Sequence, residues 1–382
     1  MRSISRTGLR AQAEALLRQS PVVAFLGPRQ SGKTTLALEL LESRKGIRFD
    51  LEDPRDARAL AEPMTALEPL KGLVVIDEVQ RQPGLFKVIR VLADRKGGPA
   101  RFLVLGSASP ELLQQSSETL AGRLRFLEVQ GFSLDEVGAG QFQRRLHRGG
   151  FPRSFLARSD AESFGWREDF IRTFIERDLG SLGIRLRSPA QLRQLWTMLA
   201  HRHGQLWNGA QLAGALGETY TTVKHHLQIL CGALVVRQLA PWLPNLEKRL
   251  VKSPKVYIRD SGLVTALLGL RSWKETVGHP GLGALWEGMV IEELLRHINE
   301  RELFFWSTHA GAELDALWAR GAQRIGFEMK WGDAPRLTKA MHIALSDLDL
   351  KRLWVIYPGP KRYRLSPQVE VLPISELSVA LS

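Results

Sequence analysis

The sequence predicts an α/β chain of several domains, and three observations carry that prediction. Short runs of consecutive apolar residues alternate with helical-period segments through the first third. The middle is rich in helix formers with apolar residues three and four apart, and a second set of apolar strand runs fills the last third. At 382 residues, with 44% hydrophobic and 24% charged, the chain has material for two or three packed domains and is not expected to be disordered.

Composition narrows the setting. No apolar run approaches the ~18 to 20 residues that a spanning helix needs, and Met1 to Ser20 lacks the long apolar centre of a signal peptide. A cytoplasmic protein without a membrane partner is the expectation. Cys231, the single cysteine, excludes an internal disulfide and a thiolate metal cluster, and reads as a small core hydrophobe.

The first element is "PVVAFLGPRQSGKTTLALELL", a short apolar strand, a glycine-bracketed loop and a helix. Gly27, Gly32, Lys33 and Thr34 fill the pattern G-x-x-x-x-G-K-[ST], for which a chance match in a chain this long is on the order of one in a hundred. Glycines let successive N–H groups wrap phosphate oxygens, the lysine reaches the β and γ phosphates, and the threonine hydroxyl ligates magnesium. ATP and Mg2+ are therefore expected on Gly27, Pro28, Arg29, Gln30, Ser31, Gly32, Lys33, Thr34 and Thr35.

"GLVVIDEVQR" follows as an apolar strand ending in two acids. Asp77 is expected to hold the magnesium together with Thr34, and Glu78 to polarise the attacking water. "RFLVLGSASPELL" is a further strand whose end carries Ser107 and Ser109; a polar residue there senses the γ-phosphate in additional-strand ATPases. In "ETLAGRLRFLEVQGFSLDE", Arg123 and Arg125 are either arginine fingers for a neighbouring subunit or ordinary arginines on a strand's solvent face.

Taken together, "GPRQSGKTT", "VVIDEVQ", "LGSAS", "LAGRLRFLEVQGFSLDE" and "GGFP" resemble the bacterial and archaeal AAA-type ATPases that carry a C-terminal domain of unknown function. The resemblance runs over nearly the whole chain. It implies an additional-strand ATPase core and a homo-oligomer, a hexamer being one form, and leaves the substrate open.

Residues 1–134 are read as the nucleotide core and 135–185 as a helical lid, in which Arg172, Arg177 and Asp178 form an exposed ion-pair face. Residues 186–257 are read as a basic winged helix. Within it "SPAQLRQLWTMLAHRHG" is an amphipathic helix, Gly209 to Leu216 a short helix, Gly217 a turn, Thr219 to Leu230 a second helix, and a strand pair follows. Thr221, Thr222, Lys224, His225 and Gln228 fall on the outer face of the second helix, and Arg237, Lys248, Arg249, Lys252 and Lys255 come from the strands and wing.

Charge supports the same segment. From Ser181 to Asp260 the chain has eleven Lys and Arg (Arg185, Arg187, Arg193, Arg202, Lys224, Arg237, Lys248, Arg249, Lys252, Lys255 and Arg259) and three acids (Glu218, Glu247 and Asp260). Eleven minus three is +8 of a total +13, which points to DNA as the partner. Winged helices also serve as protein-binding modules. His201, His203, His225 and His226 lack the carboxylate or cysteine that a tetrahedral metal set needs, and read as solvated or phosphate-facing.

The last domain, 258–382, runs from a helix with Glu287, Glu292 and Glu293 into "ELFFWST", "AELDALWAR", "RIGFEMKWG" and "RLWVIYPG". Helix, strand, strand with Asp, strand with Glu-x-Lys is the order of the PD-(D/E)xK nuclease-like fold, which resemblance maps its site to Glu287, Asp315, Glu328 and Lys330. Strand alternation puts Glu328 and Lys330 on one face. Leu314 stands where such sites often have proline, and the fold is often kept as a binding scaffold.

The expected function is a magnesium-dependent ATPase that binds DNA and moves on or remodels it, by translocation or branch migration, as an oligomer. Two alternatives stand beside it: an ATP-gated signalling or toxin-antitoxin-like protein-interaction switch, and an ATP-regulated metal-dependent endonuclease.

Overall fold

A computed structural model describes residues 4–95, 100–107, 119–181, 188–243 and 252–381. The chain forms two compact units: residues 1–132, 176–186 and 232–234 in the first, and 133–175, 187–231 and 235–382 in the second.

The first unit is built on a five-stranded sheet. Its strands are β1 (Val22–Gly27), β2 (Gly46–Asp50), β3 (Leu73–Asp77), β4 (Arg101–Ser107) and β5 (Leu124–Glu128), in the order β2-β3-β4-β1-β5 and all parallel. A parallel sheet with both faces covered needs uninterrupted apolar strands, and β1 is buried along its whole length. Val22, Ala24 and Leu26 pack on one side with Phe86 and Ile89 of α3 (Leu85–Ala93). Val23 and Phe25 pack on the other with Ala13 and Leu17 of α1 (Thr7–Gln19) and Leu36 and Leu40 of α2 (Lys33–Glu42). β1 and β3 thus flank β4 and end at the same edge of the sheet, where α/β sheets bind ligands.

In the second unit, α4 (Asp160–Thr173) carries Arg167, whose guanidinium is fully buried and donates to His147 O at 2.9 Å and Gly262 O at 3.0 Å. That cross-link is one reason residues 133–175, which include most of the expected lid 135–185, cohere with later parts of the chain. Next come α5 (Pro189–His201), β6 (Gln205–Leu206), α6 (Gly209–Leu216) and α7 (Tyr220–Gly232). Gly217, at φ 64°, supplies the left-handed turn between α6 and α7. β7 (Val236–Leu239) and β8 (Lys255–Ile258) then pair antiparallel, with β6 on the outer edge of β8.

After α8 (Ser261–Leu267) and α9 (Leu282–Leu294), a six-stranded mixed sheet forms. Its strands are β9 (Leu303–Ser307), β10 (Glu313–Arg320), β11 (Gln323–Met329), β12 (Arg352–Tyr357), β13 (Tyr363–Arg364) and β14 (Val369–Pro373), in the order β13-β14-β12-β11-β10-β9. β10 runs antiparallel to both neighbours, and β11, β12 and β14 are parallel. Met341 and Ala344 of α10 (Lys339–Asp347) pack on Leu314, Leu317, Leu353 and Val355, while Trp286 of α9 donates through Nε1 to Ile356 O at 3.3 Å. Among the described residues no helix is long and apolar enough to cross a membrane.

Candidate functional site

The loop between β1 and α2 is shaped for phosphate by its backbone. Gly32 has φ 97° and Gln30 φ 62°, so consecutive N–H groups curl toward one point. Gly27 has no room for a side chain, since a Cβ there would lie 2.0 Å from Val129 O. Ser31 is fully buried and its Oγ has no hydrogen-bond partner, an orphaned polar atom inside the loop.

Lys33 is buried at the start of α2 and its ammonium donates to Gly27 O and Pro28 O, both at 2.9 Å. Burial pulls its pKa down to about 8, against the attraction of Glu78 and Asp77. Thr34 Oγ1 donates to Asp77 Oδ2 at 3.0 Å. The hydroxyl and carboxylate expected to hold a magnesium ion therefore already meet, and these oxygens fit a hard cation. Glu78 follows with φ 54°. Burial raises its pKa, and the Gln80 side-chain amide donates to it.

Three neighbours of this site, Arg48, Asp178 and Gln80, were not legible as such in the sequence. Arg48 on β2 donates to Asp77 Oδ2 at 2.8 Å and to Asp50 Oδ2 at 2.7 Å. Arg29 of the loop donates to Asp178 Oδ1 at 2.7 Å and Glu52 Oε1 at 3.1 Å. Asp178 is buried, so it does not belong to the exposed ion-pair face expected of it; an aspartate that neutralises a loop arginine is withdrawn from solvent. Arg172 keeps that surface role with Asp169 at 2.6 Å. Gln80 is the third, and nothing in its spacing marked it.

The other expected residues of this region fall as follows. Arg123 Nε pairs with Asp94 Oδ1 at 2.5 Å on the surface of the first unit. Ser107 closes β4, its side chain outside the described residues, as is all of Ser109. Pro28 and Thr35 lie within the loop and the first turn of α2.

On α7, Thr221, Lys224, His225 and Gln228 are exposed, and Val223, Leu227 and Leu230 are buried beneath them. Thr222 is half-buried, its Oγ1 2.9 Å from Thr219 Oγ1. Lys252 is exposed, and Lys248 and Arg249 lie outside the described residues.

Arg237 is a correction. It is 5% exposed, bound to Glu292 and to Glu300 Oε1 at 2.6 Å, and Arg259 shares Glu292 at 3.2 Å. Lys255 is 3% exposed and bound to Glu287 at 2.9 Å and Glu313 at 2.5 Å. Acids of α9 and β10, distant in sequence, neutralise these three cations; of the other eight, Lys224 and Lys252 are exposed, Arg193 and Arg202 are half-buried, and Arg185, Arg187, Lys248 and Arg249 lie outside the described residues. His203 and His226 are likewise buried rather than solvated. His203 Nδ1 accepts from Ile258 N at 3.1 Å, and burial pulls its pKa down to about 4.

In the last sheet, Asp315 lies one position beyond the register pair Ala316↔Phe327, which brings it level with Glu328. Asp315 Oδ2 accepts from Met329 N at 2.8 Å, and Lys330 Nζ pairs with Glu328 Oε1 at 2.5 Å. Glu287 Oε1 accepts from Lys255 at 2.9 Å and from Tyr257 OH at 2.5 Å. Burial, then the charge of Asp315, pushes both Glu287 and Glu328 up to about 7. The four expected residues thus share one charged cluster, part-exposed at Lys330, with Lys255, Tyr257 and the part-exposed Glu313 as members that strand patterning did not reveal. Among the described residues no three acid, histidine or cysteine side chains are arranged to hold a metal ion, and the donors that meet Glu287 and Glu328 are ammonium groups and a phenol. Glu328 Oε2 is buried without a hydrogen-bond partner.

Residues 19–138 match the AAA domain family, 139–274 a domain of unknown function (DUF8612), and 282–377 a second one (DUF4143). The phosphate loop, Asp77 and Glu78 all fall within the AAA match, and the match identifies an AAA-type P-loop ATPase domain. The middle match spans both the helices after residue 139 and the helix-turn-helix. Over 374 residues the chain is 46% identical to uncharacterized protein Rv2008c of Mycobacterium tuberculosis and to uncharacterized protein Mb2031c of Mycobacterium bovis, covering 98% of this chain and 85% of each relative. Among solved structures it is similar to the Walker-type ATPase paby2304 of Pyrococcus abyssi, at 14% identity and TM-score 0.46, over 70% of this chain and 96% of that one. That likeness is too distant to carry function.

Proposed function

For a chain that belongs to the family of the mycobacterial proteins Rv2008c and Mb2031c, and whose first unit is an AAA-type P-loop ATPase, we propose a magnesium-dependent ATP hydrolase that binds DNA through α7 and remodels or moves on it as an oligomer. The observation that carries the hydrolytic part is the contact of Thr34 Oγ1 with Asp77 Oδ2, with Glu78 next in the chain.

In this reading the loop N–H groups and Lys33 take the phosphates, exchanging the ammonium's two carbonyl acceptors for phosphate oxygens. Thr34 and Asp77 orient the cation, which would supply charge neutralisation at the transferring phosphoryl group. Arg48 must give up Asp77 Oδ2 for that to happen. Glu78, its carboxyl pushed up by burial and held by Gln80, orients water and accepts its proton. Glu78→Gln should stop turnover and leave ATP binding intact; unchanged hydrolysis would remove Glu78 from the mechanism.

DNA is favoured by the exposed Thr221, Lys224, His225 and Gln228, residue types that reach phosphates and base edges, on the second helix of a helix-turn-helix followed by a small sheet. The winged-helix reading rests on that order. A second reading, the protein-interaction switch, uses the same helix and differs in one measurable way: only DNA binding gives a steep fall of affinity with salt. The C-terminal cluster is read as an ion-paired scaffold of nuclease-like topology, because Lys255 and Lys330 compensate Glu287 and Glu328. Plasmid DNA incubated with the protein and magnesium should emerge uncut on a denaturing gel, and cleavage lost in Asp315→Ala would restore the endonuclease reading.

A further inference from the structure

The second unit contains an open cavity of about 650 Å³ that no expected site residue except Lys252 had marked. It lies between β6, the start of α6 and the start of α7, and is lined by Trp207, Gly209, Tyr220, Lys252 and His309 among others. Its volume is in the range of sites that hold small organic groups.

The lining combines two aromatic rings with two nitrogen donors. Tyr220 is 49% exposed, an unusual position for a large ring, and Trp207 is half-buried. Both rings lie against the α-carbon of Gly209: a Cβ there would come within 2.7 Å of Tyr220 Cε2 and 2.8 Å of Trp207 Cζ2. Gly209 is therefore what lets the two rings occupy the cavity wall together. Lys252 and His309, both exposed, bring nitrogen donors to the same cavity from the segment before β8 and from the turn between β9 and β10.

Tyr220 of the cavity lining also begins an exposed stripe of α7. Tyr220, Lys224 and Gln228 are four residues apart, so they form one stripe along the helix, and all three are exposed.

We propose that this cavity holds one unstacked base of a single-stranded nucleic acid, stacked on Trp207 and Tyr220, with Lys252 and His309 donating to the adjoining phosphate. Stacking on aromatic side chains is the general means of holding a single strand, because every base has a π face and a duplex offers none in this form. The proposal rests on the reading of α7 as a nucleic-acid surface and deepens it by naming the strand state. A free nucleotide presents the same base and phosphate, and the test separates the two sources.

Fluorescence polarisation of labelled oligo-dT and of a duplex of equal length, without ATP, is measured for wild type, Trp207→Leu, Tyr220→Leu and Trp207→Phe, with dTMP as competitor. Each leucine variant should weaken oligo-dT binding about tenfold or more, matching the loss of one stacked base. Duplex binding should stay within about twofold, Trp207→Phe should retain most of the affinity, and dTMP should compete poorly. Thermal melting and basal ATPase, unchanged in the leucine variants, keep a folding defect from imitating the result. Unchanged oligo-dT binding in both leucine variants overturns the proposal and leaves the DNA reading standing. Saturable dTMP binding that Trp207→Leu abolishes, without preference for the oligomer, assigns the cavity to free nucleotide and overturns the strand. Absence of binding to either DNA by the wild type overturns both readings together.

Discussion

Lys33 is held by two backbone carbonyls in a buried loop, and burial, only partly offset by Glu78 and Asp77, brings its pKa down to about 8. Bound phosphate reverses that, because an adjacent anion favours the charged ammonium. Nucleotide binding above pH ~8 must therefore take up a proton, and ATP affinity should fall as pH rises through about 8. Isothermal titration in two buffers of different ionisation enthalpy at pH ~9 measures the uptake; a Lys33→Arg variant, whose charge does not titrate, should show none.

Glu328 gives the opposite kind of test. Its carboxyl lies at about 7 in the folded chain against an ordinary 4.5, so the fold favours the protonated acid. The stability from that preference is fully present below 4.5 and is lost as pH rises toward 7. Glu328→Gln has no such dependence. The melting temperature of the variant relative to wild type should climb across this window, and a flat difference would show that Glu328 is not held protonated by its surroundings.

At the scale of elements, α7 and β7 separate two kinds of cation that look alike in the sequence. Lys224 projects from α7 into solvent, whereas Arg237 on β7 is enclosed with Glu292. Removing one partner of a buried ion pair costs about 3 to 5 kcal/mol, so Arg237→Ala should lower stability by that order and leave the salt dependence of DNA binding unchanged. Lys224→Ala should do the reverse: little change in melting and a shallower log-log salt slope, by about one. Equal slopes in both variants would take α7 out of the DNA interface.

The same contrast shows what a sequence can and cannot carry. The loop from Gly27 to Thr34 was readable because its chemistry is local: eight consecutive residues set the backbone, and Asp77 follows from one strand end. The helices of the helix-turn-helix were readable from spacing, with Gly209–Leu216 found as expected and the next helix shifted to Tyr220–Gly232. Arg48, Asp178, Lys255 and Tyr257 were not readable. Each acquires its role from an oppositely charged or hydrogen-bonding partner 29 or more positions away, and nothing in the residues beside them records that partner. The charge of residues 181–260 was overvalued for the same reason.

At the scale of the whole molecule, an ATPase unit and a unit bearing α7 share one chain. If ATP hydrolysis serves DNA, the two activities must be coupled, and coupling of binding free energies is reciprocal. ATP should then alter DNA affinity in Glu78→Gln, where binding persists without turnover. The most direct measurement is the ATPase rate of the wild-type protein with no DNA and with single-stranded, duplex and four-way junction DNA, each at low and moderate salt. The account predicts a rate raised by at least one DNA form, most by one with unpaired bases, and less so at moderate salt. A rate indifferent to every form at both salts would contradict the DNA-coupled ATPase and favour the protein-interaction switch.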